Sequence, residues 1–172
     1  LCDFSSHTSI KKFAKAFIPN SINIGINGSF AVWVGTLVKD IKQEILLITE
    51  PGREEEVITR LARVGYDNAI GYLNGGIDAW IQAGKEVDIL PTVTVDEFAA
   101  AEVADPSIQI LDVRKKSEYD SEHIVNAINA PLDFINDSMA LIDKNKTYYV
   151  HCAGGYRSMV FVSILKARGF HN

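Results

Sequence analysis

The segment Tyr148-Tyr149-Val150-His151-Cys152-Ala153-Gly154-Gly155-Tyr156-Arg157-Ser158 sets one cysteine between a β-branched, aromatic run and a helical stretch. Gly154 and Gly155 let the backbone curl tightly, so that successive N–H groups can point inward at one spot, and Arg157 adds a fixed positive charge at the helix entrance. Convergent donors favour an anion on Cys152, whether a thiolate, a persulfide or a bound oxyanion, and lower a thiol pKa from its usual ~8.5. Cys152 is therefore a candidate nucleophile. A buried packing cysteine is the competing use of this residue type, but packing requires neither a glycine pair nor an arginine five residues on.

The elements that must position this loop follow from length and pattern. With 172 residues, 47% of them hydrophobic, the chain can bury one large core or two small ones. The net charge of −5 is spread over both halves with no Lys/Arg run, which argues against a nucleic-acid partner. No apolar stretch reaches the ~18–20 residues of a membrane span, and residues 1–17 do not resemble a signal peptide. Cys2 and Cys152 lie too far apart to suggest a disulfide framework, so a reducing, cytoplasmic location is expected.

The chain also repeats itself. Phe17-Ile18-Pro19-Asn20-Ser21-Ile22-Asn23 matches His123-Ile124-Val125-Asn126-Ala127-Ile128-Asn129 at four of seven positions, and Leu61 to Asn68 matches Leu165 to Asn172. Ile18 to Ile124 is an offset of 106 residues and Leu61 to Leu165 one of 104, so two copies of one unit differ by a two-residue indel. The expected domains are residues 1–88 and 92–172. In copy two the pattern predicts a strand at Thr92–Val95, a helix capped by Asp96 and a strand at Ile108–Val113. A short helix near Asp133–Ile142, a strand at Thr147–His151 and a helix at Ser158–Ala167 stopped by Gly169 follow. Copy one supplies strands at Glu44–Ile48 and Ala69–Leu73, helices at Glu54–Val64 and Ile77–Ala83, and an opening strand that contains Cys2. Strands alternating with helices argue for an α/β fold whose mainly parallel sheets carry helices on both faces. Copy two stops before a counterpart of the last strand and helix of copy one. The chain therefore reads as a section of a longer protein, with a sheet edge left for a partner or further residues to cover.

Asp112-Val113-Arg114, then His123-Ile124 through Asn129, then Cys152 to Ser158 resemble, in order and spacing, the rhodanese family of sulfurtransferases, and copy one resembles a rhodanese domain as well. The pairing of an altered first copy with an intact second one is most similar to the tandem rhodanese tail fused to a metallo-β-lactamase-fold domain in bacterial persulfide-handling proteins. The resemblance implies two rhodanese-like domains, the first without the catalytic cysteine. It implies that Cys152 accepts a sulfane sulfur from thiosulfate or a thiol persulfide, holds it as a persulfide and passes it to a thiol or cyanide. Ala153, Gly154, Gly155, Tyr156 and Ser158 would line the persulfide, Arg157 would act with Cys152 on an anionic donor, and Asp112, Arg114 and His123 would support the loop from behind. The partners implied are a small sulfur donor, a thiol acceptor and a fused or partner metallo-β-lactamase-fold domain; no cofactor and no metal is expected within this chain. A sulfur-carrier or docking module for such an enzyme is the other function these residues fit.

Loop length bears on the chemistry. Cysteine phosphatases resemble one another in having five residues between Cys and Arg, whereas only Ala153 to Tyr156 intervene here, a ring suited to one sulfur rather than a phosphate. With few cations beyond Arg157 and Arg114, the loop leans towards a thiol persulfide over free thiosulfate. In copy one the helix match sets Ile48 opposite Cys152, leaving Thr49-Glu50-Pro51-Gly52-Arg53 as a loop without a thiol, and Ser5 stands roughly where copy two has Arg114. Glu50 and Glu54 to Glu56 would repel an anion and Pro51 lacks an N–H, so this copy reads as a packing or docking domain walling the active cleft. His151 is expected to be a hydrogen-bonded histidine facing away from the thiol, because neighbouring strand residues point to opposite faces. His7, His123 and His171 show no metal-ligand spacing. Trp33, Trp80 and Tyr72 are assigned to packing.

Overall fold

The computed structural model describes residues 2–3, 9–27 and 29–171. Ser5 and His7, weighed above, lie outside the described residues. Two compact units meet between Leu90 and Pro91.

In unit one the order is β1 (Cys2–Asp3), α1 (Ser9–Lys15), β2 (Ile22–Asn23), α2 (Phe30–Leu37), β3 (Ile45–Ile48), α3 (Glu54–Ala62), β4 (Ala69–Tyr72) and α4 (Gly76–Gln82). These strands pair in parallel, in the order β2-β1-β3-β4. Parallel neighbours need long crossovers, which the helices provide. Phe13 and Phe17 stack at 4.4 Å and are buried together with Ile24, Leu47 and Leu61. Trp33 is buried, and Trp80 packs on Ile18, Ile48 and Ile77 while its indole N–H donates to the Glu86 carbonyl at 2.7 Å. Tyr72 departs from expectation and stays half exposed.

Unit two runs α5 (Val95–Ala104), β5 (Gln109–Asp112), α6 (Lys116–Ser121) and β6 (Ile128–Asn129). A 3-10 turn (Leu132–Phe134) then leads into α7 (Ile135–Met139), β7 (Tyr148–His151) and α8 (Tyr156–Ala167). Its sheet is parallel, in the order β6-β5-β7. Ile110, Leu111 and Asp112 are buried in succession, so both faces of β5 are covered, as in parallel sheets generally. Helix α8 buries Met159, Val160, Phe161, Ile164 and Leu165, which anchors the element that follows the cysteine loop. No described helix is long and apolar enough to cross a membrane.

Two expectations are corrected. Thr92 to Val95 is not a strand: the Thr94 side chain accepts the Glu97 N–H at 3.2 Å, and the Glu97 carboxylate accepts the Thr94 N–H at 2.7 Å. This reciprocal cap starts α5 at Val95 and outweighs the β preference of the Thr/Val run, so the cap is Thr94 and not Asp96. Helix α8 begins at Tyr156, two residues before the expected Ser158, because left-handed Gly155 at φ +83° already serves as its N-cap.

The repeat is visible in the registers. Asp3 pairs with Asn23 and Ile48, as Asp112 pairs with Asn129 and His151. Asn20 and Asn126 both turn through the left-handed region, at φ 66° and 65°, where asparagine is tolerated better than most residues. These registers set Ile48 opposite His151, so Thr49, not Ile48, is the counterpart of Cys152. Left-handed Gly52 and Gly155 share the spacing of that strand pair, 103 residues, whereas left-handed Gly65 and Gly169 are 104 apart. The extra residue therefore lies within α8, and an alignment drawn from the helix ends carries it wrongly into the loop.

Truncating Phe161, fully buried, to alanine is expected to destabilise unit two by about 3–5 kcal/mol. V103A on exposed α5 should stay within about 0.5 kcal/mol. Urea unfolding of the two variants checks the contrast.

Candidate active site

Strand β7 delivers Cys152 just beyond the C-terminal end of its sheet, where open α/β sheets generally bind their ligands. The thiol is half-buried. The Gly155 N–H donates to Sγ at 3.2 Å and the Ser158 N–H at 3.4 Å, and the Ser158 hydroxyl lies 3.6 Å away. That hydroxyl now donates to the Gly155 carbonyl at 3.0 Å, but as a free rotor it can turn to donate to a thiolate. Burial pushes the thiol pKa up. The bonds from Ser158, Gly154 and Gly155 outweigh it, so the thiol titrates below its ordinary range. Gly155 adopts φ +83° with open space where a Cβ would stand, so conformation and not crowding requires glycine there.

The expected loop residues converge in part. Gly155 and Ser158 supply donors to the sulfur, Ala153 and Gly154 form the exposed rim, and Tyr156 is partly buried at the first turn of α8. Arg157, expected to face an anionic donor, is already engaged: its two terminal nitrogens donate to the Glu118 carboxylate at 2.5 and 2.9 Å. Glu118 also accepts the Lys115 N–H at 3.2 Å, so one carboxylate ties the start of α6 to the start of α8. Hydrogen bonding by Arg157, working against desolvation, holds the Glu118 carboxyl down at about 2. Sequence reasoning passed over Glu118. Its signal was only an acidic residue three positions into a helix, which fits capping equally well.

Asp112 is fully buried and paired with Arg114. Its carboxylate accepts the Arg114 backbone N–H at 2.9 Å and the guanidinium at 2.6–3.0 Å, and burial is outweighed so that its pKa lies below the ordinary value. The Arg114 guanidinium also donates to the Glu122 carbonyl at 2.6 Å, and the Asn129 amide donates to the carbonyls of Asp112 and Arg114 at 3.1 and 3.0 Å. This pair therefore fixes the strand ends beneath the loop. His123 makes its ring contact and hydrogen bond with Tyr119, at 3.9 and 2.8 Å. His151 differs from the hydrogen-bonded residue expected: its Nε2 is buried without a hydrogen bond, 3.7 Å from Asp112 Oδ2. Desolvation lowers its pKa against the pull of Asp112, which favours the neutral imidazole.

In unit one the counterpart loop keeps the turn but not the chemistry. Thr49 is buried with an unpartnered hydroxyl, and Glu50 and Arg53 form an ion pair at 3.6 Å. A cavity of about 30 Å³ is lined there by Thr49, Pro51, Gly76 and the Lys12–Asp78 pair. Among the described residues no group of three or more His, Cys, Asp or Glu side chains is placed to hold a metal ion.

A thiol in a ring of amides at the end of a parallel sheet, repeated with variation in one chain, is the arrangement of rhodanese-like domains. The model of the rhodanese-like domain matches residues 3–83 and 94–172, and the chain belongs to that family with two copies of its domain. Three relatives carry names that refer to sulfur transfer or sulfur carriage. The tRNA sulfurtransferase of Thermoplasma acidophilum is 42% identical over 60 residues, covering 35% of this chain and 12% of the relative. The putative sulfur carrier protein YrkF of Bacillus subtilis is 30% identical over 88 residues, covering 51% of this chain and 48% of the relative. The thiosulfate sulfurtransferase PspE of Escherichia coli is 37% identical over 62 residues, covering 35% and 60% respectively. The matched regions thus span less than two thirds of these relatives.

Two outcomes follow from the geometry. S158A should raise the pH midpoint of iodoacetamide alkylation at Cys152, read by peptide mass. Because the folded Glu118 carboxyl is depressed from 4.5 to about 2, its contribution to stability is complete above 4.5 and lost as the pH falls towards 2. Urea midpoints of E118Q should therefore fall less steeply across that window than those of the wild type.

Proposed function

We propose that this chain is a sulfurtransferase that carries sulfane sulfur as a Cys152 persulfide. The observation that carries the reading is the half-buried Cys152 sulfur with the Gly155 and Ser158 N–H groups directed at it. Those donors favour the thiolate that must attack, and then the terminal sulfur anion of the persulfide. Thiosulfate or a thiol persulfide is the donor, and a thiol or cyanide the acceptor. Ala153, Gly154, Gly155, Tyr156 and Ser158 form the cradle, Arg157 orders it from the helix start, and Asp112 and Arg114 hold the strand ends that carry it. Unit one, with Thr49 in place of the cysteine, has a packing or docking role.

A second reading is favoured by the likeness over half the chain to a protein named as a putative sulfur carrier. In that case the same persulfide forms on Cys152 but is loaded by an enzyme, such as a fused or partner metallo-β-lactamase-fold protein, and turns over slowly with small donors.

Incubation with thiosulfate or glutathione persulfide should add one sulfur, about 32 Da, to the intact mass, labile to cyanide and missing in C152S. Absence of the adduct with either donor on folded protein sinks the enzyme reading. Loading without steady-state turnover selects the carrier.

A further inference from the structure

The charges around the loop do not favour an anionic donor as strongly as Arg157 alone would suggest. Its guanidinium is bound at both terminal nitrogens by Glu118, at 2.5 and 2.9 Å, and Asp133 acts on it electrostatically as well. The other cation, Arg114, is closed on buried Asp112 at 2.6 Å. His151 faces the same carboxylate from β7 without a hydrogen bond. Two cations are thus set against three carboxylates, and the direct donors to Cys152 Sγ are uncharged N–H groups. Such a site can stabilise one negative charge on sulfur through dipoles, but it holds no surplus positive charge to attract a dianion.

We infer that Glu118 acts as a charge filter at the cysteine loop, cancelling Arg157 so that Cys152 takes sulfur from a thiol persulfide in preference to dianionic thiosulfate. The inference rests on the sulfur-transfer reading for its substrate, though the filter itself acts on any electrophile. With a hydropersulfide RS–SH, the Cys152 thiolate attacks the terminal sulfur. A new S–S bond forms to Cys152, the RS–S bond breaks, RS⁻ leaves with the bonding pair, and the proton stays on the transferred sulfur until it ionises. With thiosulfate the leaving group is sulfite, and the approaching dianion adds two negative charges to a ring already carrying a thiolate. Glu118 touches neither sulfur and works through Arg157, so it is a positioning and specificity residue.

The test is E118Q, which keeps the size of the side chain and removes its charge. Loading rates of Cys152 by thiosulfate and by cysteamine persulfide, whose ammonium offsets its ionised persulfide, are compared with alkylation by iodoacetate and iodoacetamide, which differ mainly in charge, all read at the Cys152 peptide. Removing one charge from beside the loop should raise the thiosulfate-to-persulfide ratio and the iodoacetate-to-iodoacetamide ratio together, the former by about tenfold. A mere loosening of the loop would change all four rates without favouring the anions. Unchanged ratios in folded E118Q overturn the inference. Should E118Q fail to fold, D133N removes a second carboxylate that acts on Arg157 and must move both ratios in the same direction, or the inference falls. If neither donor loads the wild type but the alkylation ratio rises in E118Q, the filter stands and the sulfur-transfer reading is what has failed.

Discussion

The buried carboxylate of Asp112 is the constraint on which the loop depends. A fully buried charge is tolerated only when paired and hydrogen-bonded, and Asp112 meets this through the Arg114 backbone and guanidinium. Its own carbonyl accepts the Asn129 amide from β6, and the Ala130 N–H donates to it at 2.9 Å. With His151 of β7 directly opposite, three strand ends are brought level at this point. Cys152 is the next residue. Its position is inherited from that alignment, and the loop need only curl around it.

A second ion pair acts one layer above. Glu118 and Arg157 join the starts of α6 and α8, the helices that follow the ends of β5 and β7. The pair settles the orientation of the first turn of α8, which supplies the Ser158 N–H to the sulfur. It also uses up the charge that the loop sequence advertises. The groups that lower the Cys152 pKa are consequently hydrogen-bond donors of the loop and not cations, in a half-buried setting where such dipoles are less screened than in water.

The two units show how a common frame separates from its chemistry. Strand register, the left-handed asparagine turn and the left-handed glycine before the helix are shared, because each answers a backbone requirement that the repeat retains. The cysteine is not such a requirement. Thr49 fills the place of Cys152, and Glu50 and Pro51 fill the places of Ala153 and Gly154 without disturbing the turn. Gly76 remains glycine for a different reason, since a Cβ there would come within 2.7 Å of the Thr49 carbonyl.

Much of this protein was legible in its sequence. The cysteine loop, the repeat and the alternation of strands and helices could all be read, because each is encoded by neighbouring residues or by a pattern with a fixed period. Thr92 to Val95 was misread because a β-branched run and a capping box compete over the same four residues, and hydrogen bonds to free helix donors decide between them. The counterpart of Cys152 was displaced by one residue because only strand pairing locates an insertion inside a helix. The sequence by itself determined the family, the parallel α/β architecture and the loop that carries Cys152. Tertiary structure alone decided that Arg157 is neutralised by Glu118, 39 residues earlier in the chain, and that His151 lies against Asp112 without a bond. Charge pairing depends on distance in space, and no local pattern records which of many carboxylates a folded arginine will meet.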